Sequence, residues 1–141
     1  LGDAPRYTNH LAYRFLVPAE QAAPFMAQGR SAIFIGPKRT FNRYTMAGGK
    51  VVNCAALLET DEVVGEGWSI AASRAEVAAA FATAHPDVLG LIDQAGPIIK
   101  WGLYERTPLP GWSKGRVTLL GDAAHAMLPF LGAGAAMAMS S

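Results

Sequence analysis

A single cysteine in 141 residues, Cys54, rules out a disulfide within the chain and any cysteine-rich metal site. It stands in the apolar run VVNCAALL, which marks it as an inert core thiol rather than a nucleophile. Charge is sparse and nearly balanced: 16% of residues are charged, the net charge is +1, and there is no basic run. Nothing in the chain would displace many counterions from phosphates, which argues against a nucleic-acid surface. No unbroken apolar run approaches the ~20 residues of a membrane span, and no secretory signal is visible, so the expected setting is cytoplasmic. The histidines His10, His85 and His125 are scattered and make no metal-ligand spacing.

What is present suits a packed core, since 51% of the residues are hydrophobic. The length fits one ordinary domain or pieces of two. Residues 1–10 read as a loop. LAYRFLVP (residues 11–18) reads as a strand ended by its proline, and residues 19–28 as a short helix or turn. Residues 31–37 and 41–59 read as three more strands, the last two joined by a turn at Ala47, Gly48 and Gly49. Four strands so close in sequence predict an antiparallel sheet.

Residues 61–68 are acidic and loop-like. Ser73 and Glu76 fit a capping box, followed by an alanine-rich helix to about Ala84. His85 and Pro86 break it, residues 87–93 give further helical turns, and residues 97–104 return as a strand. After a proline-punctuated connection, VTLLGD (residues 117–122) is hydrophobic throughout, the pattern of a strand buried on both faces of a parallel sheet. The expected class is therefore α+β passing into α/β, with a boundary that divides residues 1–110 from residues 111–141. Leu1 opens in loop-like sequence and Ser141 stops inside a helix-like pattern, so an excerpt of a longer protein is expected.

The chemistry concentrates in GRVTLLGDAAHAMLPFLGAGAAMAM (residues 115–139). Asp122 falls at the carboxyl end of the expected strand, where open α/β sheets bind ligands. A carboxylate only accepts hydrogen bonds, so a ribose or ribityl chain suits it; capping the following AAHAM turn is the equal alternative. Gly132, Ala133, Gly134 and Ala135 then stand at the mouth of a helix. Their free amides favour a partly anionic edge such as that of a reduced flavin, while close helix packing is the plain alternative. The third glycine of the dinucleotide fingerprint is missing, which weakens this stretch as a primary phosphate site.

Residues 115–139 resemble the second flavin-binding motif of the class A FAD-dependent aromatic hydroxylases, the para-hydroxybenzoate hydroxylase fold, nearest its salicylate-hydroxylase-like branch. Gly121, Asp122, Ala123, Ala124, His125, Pro129, Gly132 and Gly134 carry the match. LAYRFLVPAE, the hairpin around Gly48 and WGLYERTPLPGWSKGRV resemble the same branch. The resemblance implies a substrate domain followed by part of an FAD-binding domain. It implies hydroxylation of a small aromatic substrate with FAD as cofactor, NAD(P)H as co-substrate and O2. Asp122, next to Gly121, would hold the ribityl chain, Pro129 would sit beside the flavin ring, and amides around Gly132, Ala133, Gly134 and Ala135 would face its N1–C2=O edge. Ala126 replaces the usual proline after the histidine, and Ala133 replaces the usual glutamine between the glycines. The family's N-terminal G-x-G-x-x-G and middle Asp-Gly motifs do not occur.

In this family the antiparallel sheet forms one wall of the substrate cavity, which makes Arg43 and Tyr44 candidates to line it, with Phe130 and Leu131 beside Pro129. A surface salt bridge is the plainer reading for Arg43 and for Arg14. His125 orders its loop rather than acting as a base, and Trp68, Trp101 and Trp112 read as packing anchors. Two other functions stay open: a catalytically silent or partner-completed module, and a same-fold flavoprotein that epoxidises or reduces its substrate.

Overall fold

A computed structural model describes residues 4–65, 67 and 69–140. In chain order, strand β1 (Arg6–Pro18) leads into helix α1 (Ala19–Ala22) and a 3-10 turn. Strands β2 (Ser31–Gly36), β3 (Arg39–Met46), β4 (Val51–Glu59) and β5 (Ile70–Ala72) follow. Helices α2 (Arg74–Ala80) and α3 (Pro86–Asp93) precede β6 (Ile98–Glu105). The last segment holds β7 (Ser113–Lys114), β8 (Val117–Thr118), α4 (Asp122–His125), a 3-10 turn and α5 (Gly134–Met139). The chain divides into two compact units: residues 9–102, and residues 4–8 with 103–140.

The main sheet has six strands in the order β2-β3-β4-β1-β6-β5, and β1–β4, β2–β3, β3–β4 and β5–β6 pair antiparallel. The α+β class and the antiparallel sheet agree with the sequence reading. The turn between β3 and β4 also falls where expected, with Ala47, Gly48 and Gly49 all at positive φ, a conformation glycine adopts without steric cost.

Alternation along β1 sets the core of the 9–102 unit. Leu11, Tyr13, Phe15 and Val17 are all buried, while Arg14 and Leu16 are exposed on the other face. Register carries the pattern across: Phe15 lies opposite Cys54, and Cys54 opposite Arg43. Val77 and Phe81 with Val88, Leu91 and Ile92 complete the same core cluster from the helical side. Burial pushes the Cys54 thiol up to about 12 against a smaller downward pull from Arg43, which suits an inert thiol.

Several expectations need correction. Residues 6–10 are strand, not loop: a polar strand end lacks the apolar alternation that reveals strands, and non-local pairing supports it, as in His10 opposite Glu59. The capping box, by contrast, forms as expected: Ser73 Oγ accepts from the Glu76 amide at 3.1 Å, and the Ser73 backbone amide donates back to the Glu76 carboxylate. That carboxylate also accepts from Tyr13 Oη at 2.9 Å and Lys100 Nζ at 2.6 Å. Helix α2 stops at Ala80 rather than Ala84, where Arg39 Nη1 bonds the Ala80 carbonyl at 2.7 Å. Arg43 makes no surface salt bridge: it is 1% exposed and donates to Gly29 O at 2.7 Å and Gln28 Oε1 at 3.2 Å. Arg14 likewise meets the Asn53 amide oxygen, at 2.9 Å, and not a carboxylate. The VTLLGD run is not a buried parallel strand. Only Val117–Thr118 is strand, paired antiparallel with β7, and both Val117 and Leu120 are largely exposed. A run apolar on both faces needs cover on both, and among the described residues its only ladder is this two-residue one. Trp68 lies outside the described residues, and Trp112 is 45% exposed rather than a buried anchor.

Burial raises the Tyr13 hydroxyl well above the ordinary tyrosine value, and its bond to Glu76 raises it further. Burial also pushes Glu76 up, but the hydrogen bonds from Lys100 and Tyr13 outweigh it and hold the carboxyl below the usual 4.5. Lys100 is held above its usual 10.5, chiefly by the hydrogen bond to Glu76. The depressed carboxyl stabilises the fold above its unfolded value, and that contribution is lost as pH falls through its folded one. The raised ammonium stabilises below 10.5, and its contribution is lost as pH rises through its folded value. Urea midpoints should therefore fall between about pH 5 and pH 3 in the native chain, with a shallower acid slope in Glu76→Gln.

A methyl group at Gly90 on α3 would come within 2.1 Å of the Phe25 ring. Gly90→Ala should cost about 1–3 kcal/mol by overpacking, read from denaturant unfolding.

Candidate cofactor site

In the unit that holds residues 103–140, short elements follow one another with little regular structure between them. Gly121 is the N-cap of α4, with φ 57° and ψ −138°, a backbone region open essentially to glycine alone. Its carbonyl accepts from the amides of Ala124 and His125, at 2.9 and 3.0 Å, and closes the turn. A Cβ at this position would lie 3.3 Å from the Ala138 methyl, so α5 packs directly on the turn.

Asp122 is the first residue of α4. Its carboxylate makes no hydrogen bond or ion pair among the described residues, so it does not cap the AAHAM turn. It lines a cavity of about 250 Å3 shared with Arg106, Pro108, Trp112 and His125. The Trp112 and His125 rings stand 5.2 Å apart with their planes at 50°, so His125 is held against an aromatic wall. Sequence reading missed Arg106 and the wall role of Trp112; the proline-rich connection around them carried no periodic pattern to reveal it.

The other candidates group separately. Pro129 opens the 3-10 turn Pro129–Leu131, whose carbonyl at Pro129 accepts from the Gly132 amide at 3.2 Å. Ala133 is the N-cap of α5, with no side-chain cap, and its carbonyl accepts from Met137 at 3.0 Å. The first amides of α5, from Gly134 and Ala135 onward, have no partner within the helix, as at any helix start. None of Pro129, Gly132, Ala133, Gly134 or Ala135 lines the cavity at Asp122. Phe130 is 48% exposed, and the Leu131 side chain lies outside the described residues.

Arg43 and Tyr44 belong to the other unit and fall on opposite faces of β3. Arg43 points into the helix-packed core, while Tyr44, 43% exposed, stands on the open face with Leu16 and Met46. Among the described residues there is no group of His, Cys, Asp and Glu able to hold a metal, and no helix is long and apolar enough to cross a membrane.

The arrangement fits part of a flavin cofactor. An unspent carboxylate beside a cationic side chain suits a polyhydroxylated chain, and uncapped amides suit an electron-rich carbonyl edge. The cavity is too small for a whole dinucleotide, in keeping with the missing glycine fingerprint.

Gly121→Ala should destabilise by about 1–3 kcal/mol and speed amide hydrogen exchange at Ala124 and His125 ahead of the β1 amides.

A family profile described as "FAD binding domain" matches residues 31–141. The chain is 37% identical over 139 residues to a 3-amino-4-hydroxybenzoate 2-monooxygenase of Streptomyces platensis, covering 99% of this chain and 35% of the relative. It is 34% identical over 140 residues to a 3-hydroxybenzoate 6-hydroxylase of Polaromonas naphthalenivorans, covering 99% and 34%. Among solved structures, a salicylate hydroxylase substrate complex aligns at TM-score 0.79 and 29% identity, over 93% of this chain and 35% of that one. The chain thus spans about a third of the length of the curated relatives it matches.

Proposed function

The chain belongs to the FAD binding domain family, and from that premise we propose that it is part of a flavin-dependent monooxygenase that hydroxylates a small aromatic substrate with NAD(P)H and O2. Relatives at 34–37% identity named for hydroxylation of aromatic acids support the reaction class. The observation that carries the reading is the Asp122 carboxylate, at the head of α4, unspent on the protein and lining a cavity with Arg106. In this reading residues 1–110 are most of a substrate domain and residues 111–141 a segment of the FAD-binding domain. The setting is cytoplasmic.

FAD, when bound, supplies the redox chemistry, taking reducing equivalents from NAD(P)H and activating O2. The chain's own residues bind and orient. Asp122 would accept hydrogen bonds from the ribityl hydroxyls, and Gly121 gives it its position by turning the chain where a side chain would strain. Amides at Gly132, Ala133, Gly134 and Ala135 are available to an electron-rich carbonyl edge. They are fixed backbone dipoles, which need no reorganisation when negative charge grows there. Pro129 and Phe130 offer an exposed apolar surface against which the flavin ring would sit. Tyr44 is the substrate-lining candidate on the open face of β3, where its hydroxyl is accessible to a polar ring substituent. Arg43 is the weaker candidate, since Gln28 and Gly29 already occupy its guanidinium.

One observation favours a second reading. Val117 and Leu120 are 66% and 65% exposed, as expected of a module that other strands must complete before any turnover.

The test is to purify the chain with excess FAD and measure the bound yellow chromophore. Binding that weakens by about 1.5–3 kcal/mol in Asp122→Ala supports the cofactor role. Equal retention by the variant refutes it. No flavin in either protein leaves the silent-module reading.

A further inference from the structure

The 9–102 unit holds a cleft that the proposed reaction does not use. It has a volume of about 400 Å3 and lies where β2 and β3 meet the connection between α2 and α3. Its apolar lining comes from Phe34, Phe41 and Phe81. The Phe34–Phe41 and Phe41–Phe81 ring pairs meet edge to face, at 6.3 and 6.1 Å, so the aromatic surface is held rigid from behind. Phe41 and Phe81 are buried, and Phe34 is only partly covered. His85 stacks on Phe34 at 5.3 Å, and its Nδ1 is spent accepting the Asp87 amide.

One cation stands in this lining. Arg39 uses Nη1 on Ala80 O at 2.7 Å and Nη2 on Thr83 Oγ1 at 2.6 Å, which fixes the guanidinium plane. Two of its five N–H groups are used in this way. No acidic side chain forms an ion pair with it among the described residues. A planar donor fork, already immobilised next to an aromatic wall, loses little entropy on meeting a carboxylate.

We propose that this cleft is a small-molecule site for a single-ring aromatic carboxylate, with the ring against Phe34 and the carboxylate on Arg39. It is separate from the open face of β3, because Phe34, Phe41 and Arg39 occupy the helix-packed side of the sheet and Tyr44 the other. It also owes nothing to the flavin reading, since no residue of the 103–140 segment lines it. The ligand is bound there without being transformed, for the lining holds no redox group, and Thr83 Oγ1 and His85 Nδ1 are already engaged with Arg39 and the Asp87 amide.

Sodium benzoate titrated into the isotope-labelled chain, followed by amide chemical shifts without FAD, tests this. Saturable shifts are expected at Gly36, Thr83, Ala84 and His85, with a Kd on the order of 1 mM, as suits so small a ligand. Benzyl alcohol, which keeps the ring and loses the charge, should bind more weakly by about tenfold, as should benzoate to Arg39→Gln. Gly36→Val guards against an Arg39 variant that fails to fold. A Cβ at Gly36 lies in ordinary contact with Arg39, 3.6 Å from Cγ, so valine crowds the cleft without removing an existing bond. This variant should keep the native spectrum and lose the benzoate shifts. Shifts confined to Ala123 through Ala126 or to Tyr44, no saturation, or unchanged binding in natively folded Gly36→Val would each overturn the proposal.

Discussion

Burial of one face of β1 is the constraint on which the rest of the 9–102 unit depends. Leu11, Tyr13, Phe15 and Val17 are each no more than 2% exposed, and a fully buried side chain of this size contributes about 1.5–3 kcal/mol. Because side chains alternate, one residue of slip would move all four to the open face and bring Arg14 and Leu16 inward. The register with β4 is thereby fixed, and through β4 that of β3. That chain of registers decides which face each β3 residue occupies.

Polar groups in and around this core add specificity rather than bulk. Glu76 links α2 to β1 through Tyr13 and to β6 through Lys100. Arg43 ties β3 to the loop at Gln28 and Gly29, and Arg39 ties it to the end of α2. Each bond satisfies a group that would be costly to leave unpaired, so alternative packings are penalised more than the native one is stabilised. Arg43 departs from the rule in one respect: its Nε has no partner, and its charge faces no carboxylate among the described residues.

The candidate cofactor site is built on a different principle. Its elements are short, its backbone carries the geometry, and its candidate side chain, Asp122, is exposed and unspent. Gly121 provides a turn that other residues would strain, and the Ala138 methyl close behind it sets the packing of α5. The candidate stretch stands out in sequence because its constraints are local. A carboxylate after a glycine, a proline-bearing loop and a glycine pair leave a pattern within 25 consecutive residues. Arg106 and Trp112 left none, since they reach the cavity from a connection whose sequence has no period.

The sequence by itself determined the strands that alternate, the Gly48 turn, the helix start at Pro86 and the buried cysteine. In each case the cause lies within a few residues: side-chain alternation, a positive φ, a missing amide hydrogen. Only the tertiary structure decided that residues 6–10 are strand, that Tyr13 and Lys100 join the Glu76 carboxylate, and that Arg43 is buried while Tyr44 is not. It alone decided that VTLLGD is largely uncovered. Those outcomes depend on partners tens of residues away, and a local pattern holds no record of which distant group will arrive to pair with a polar atom or cover an apolar one.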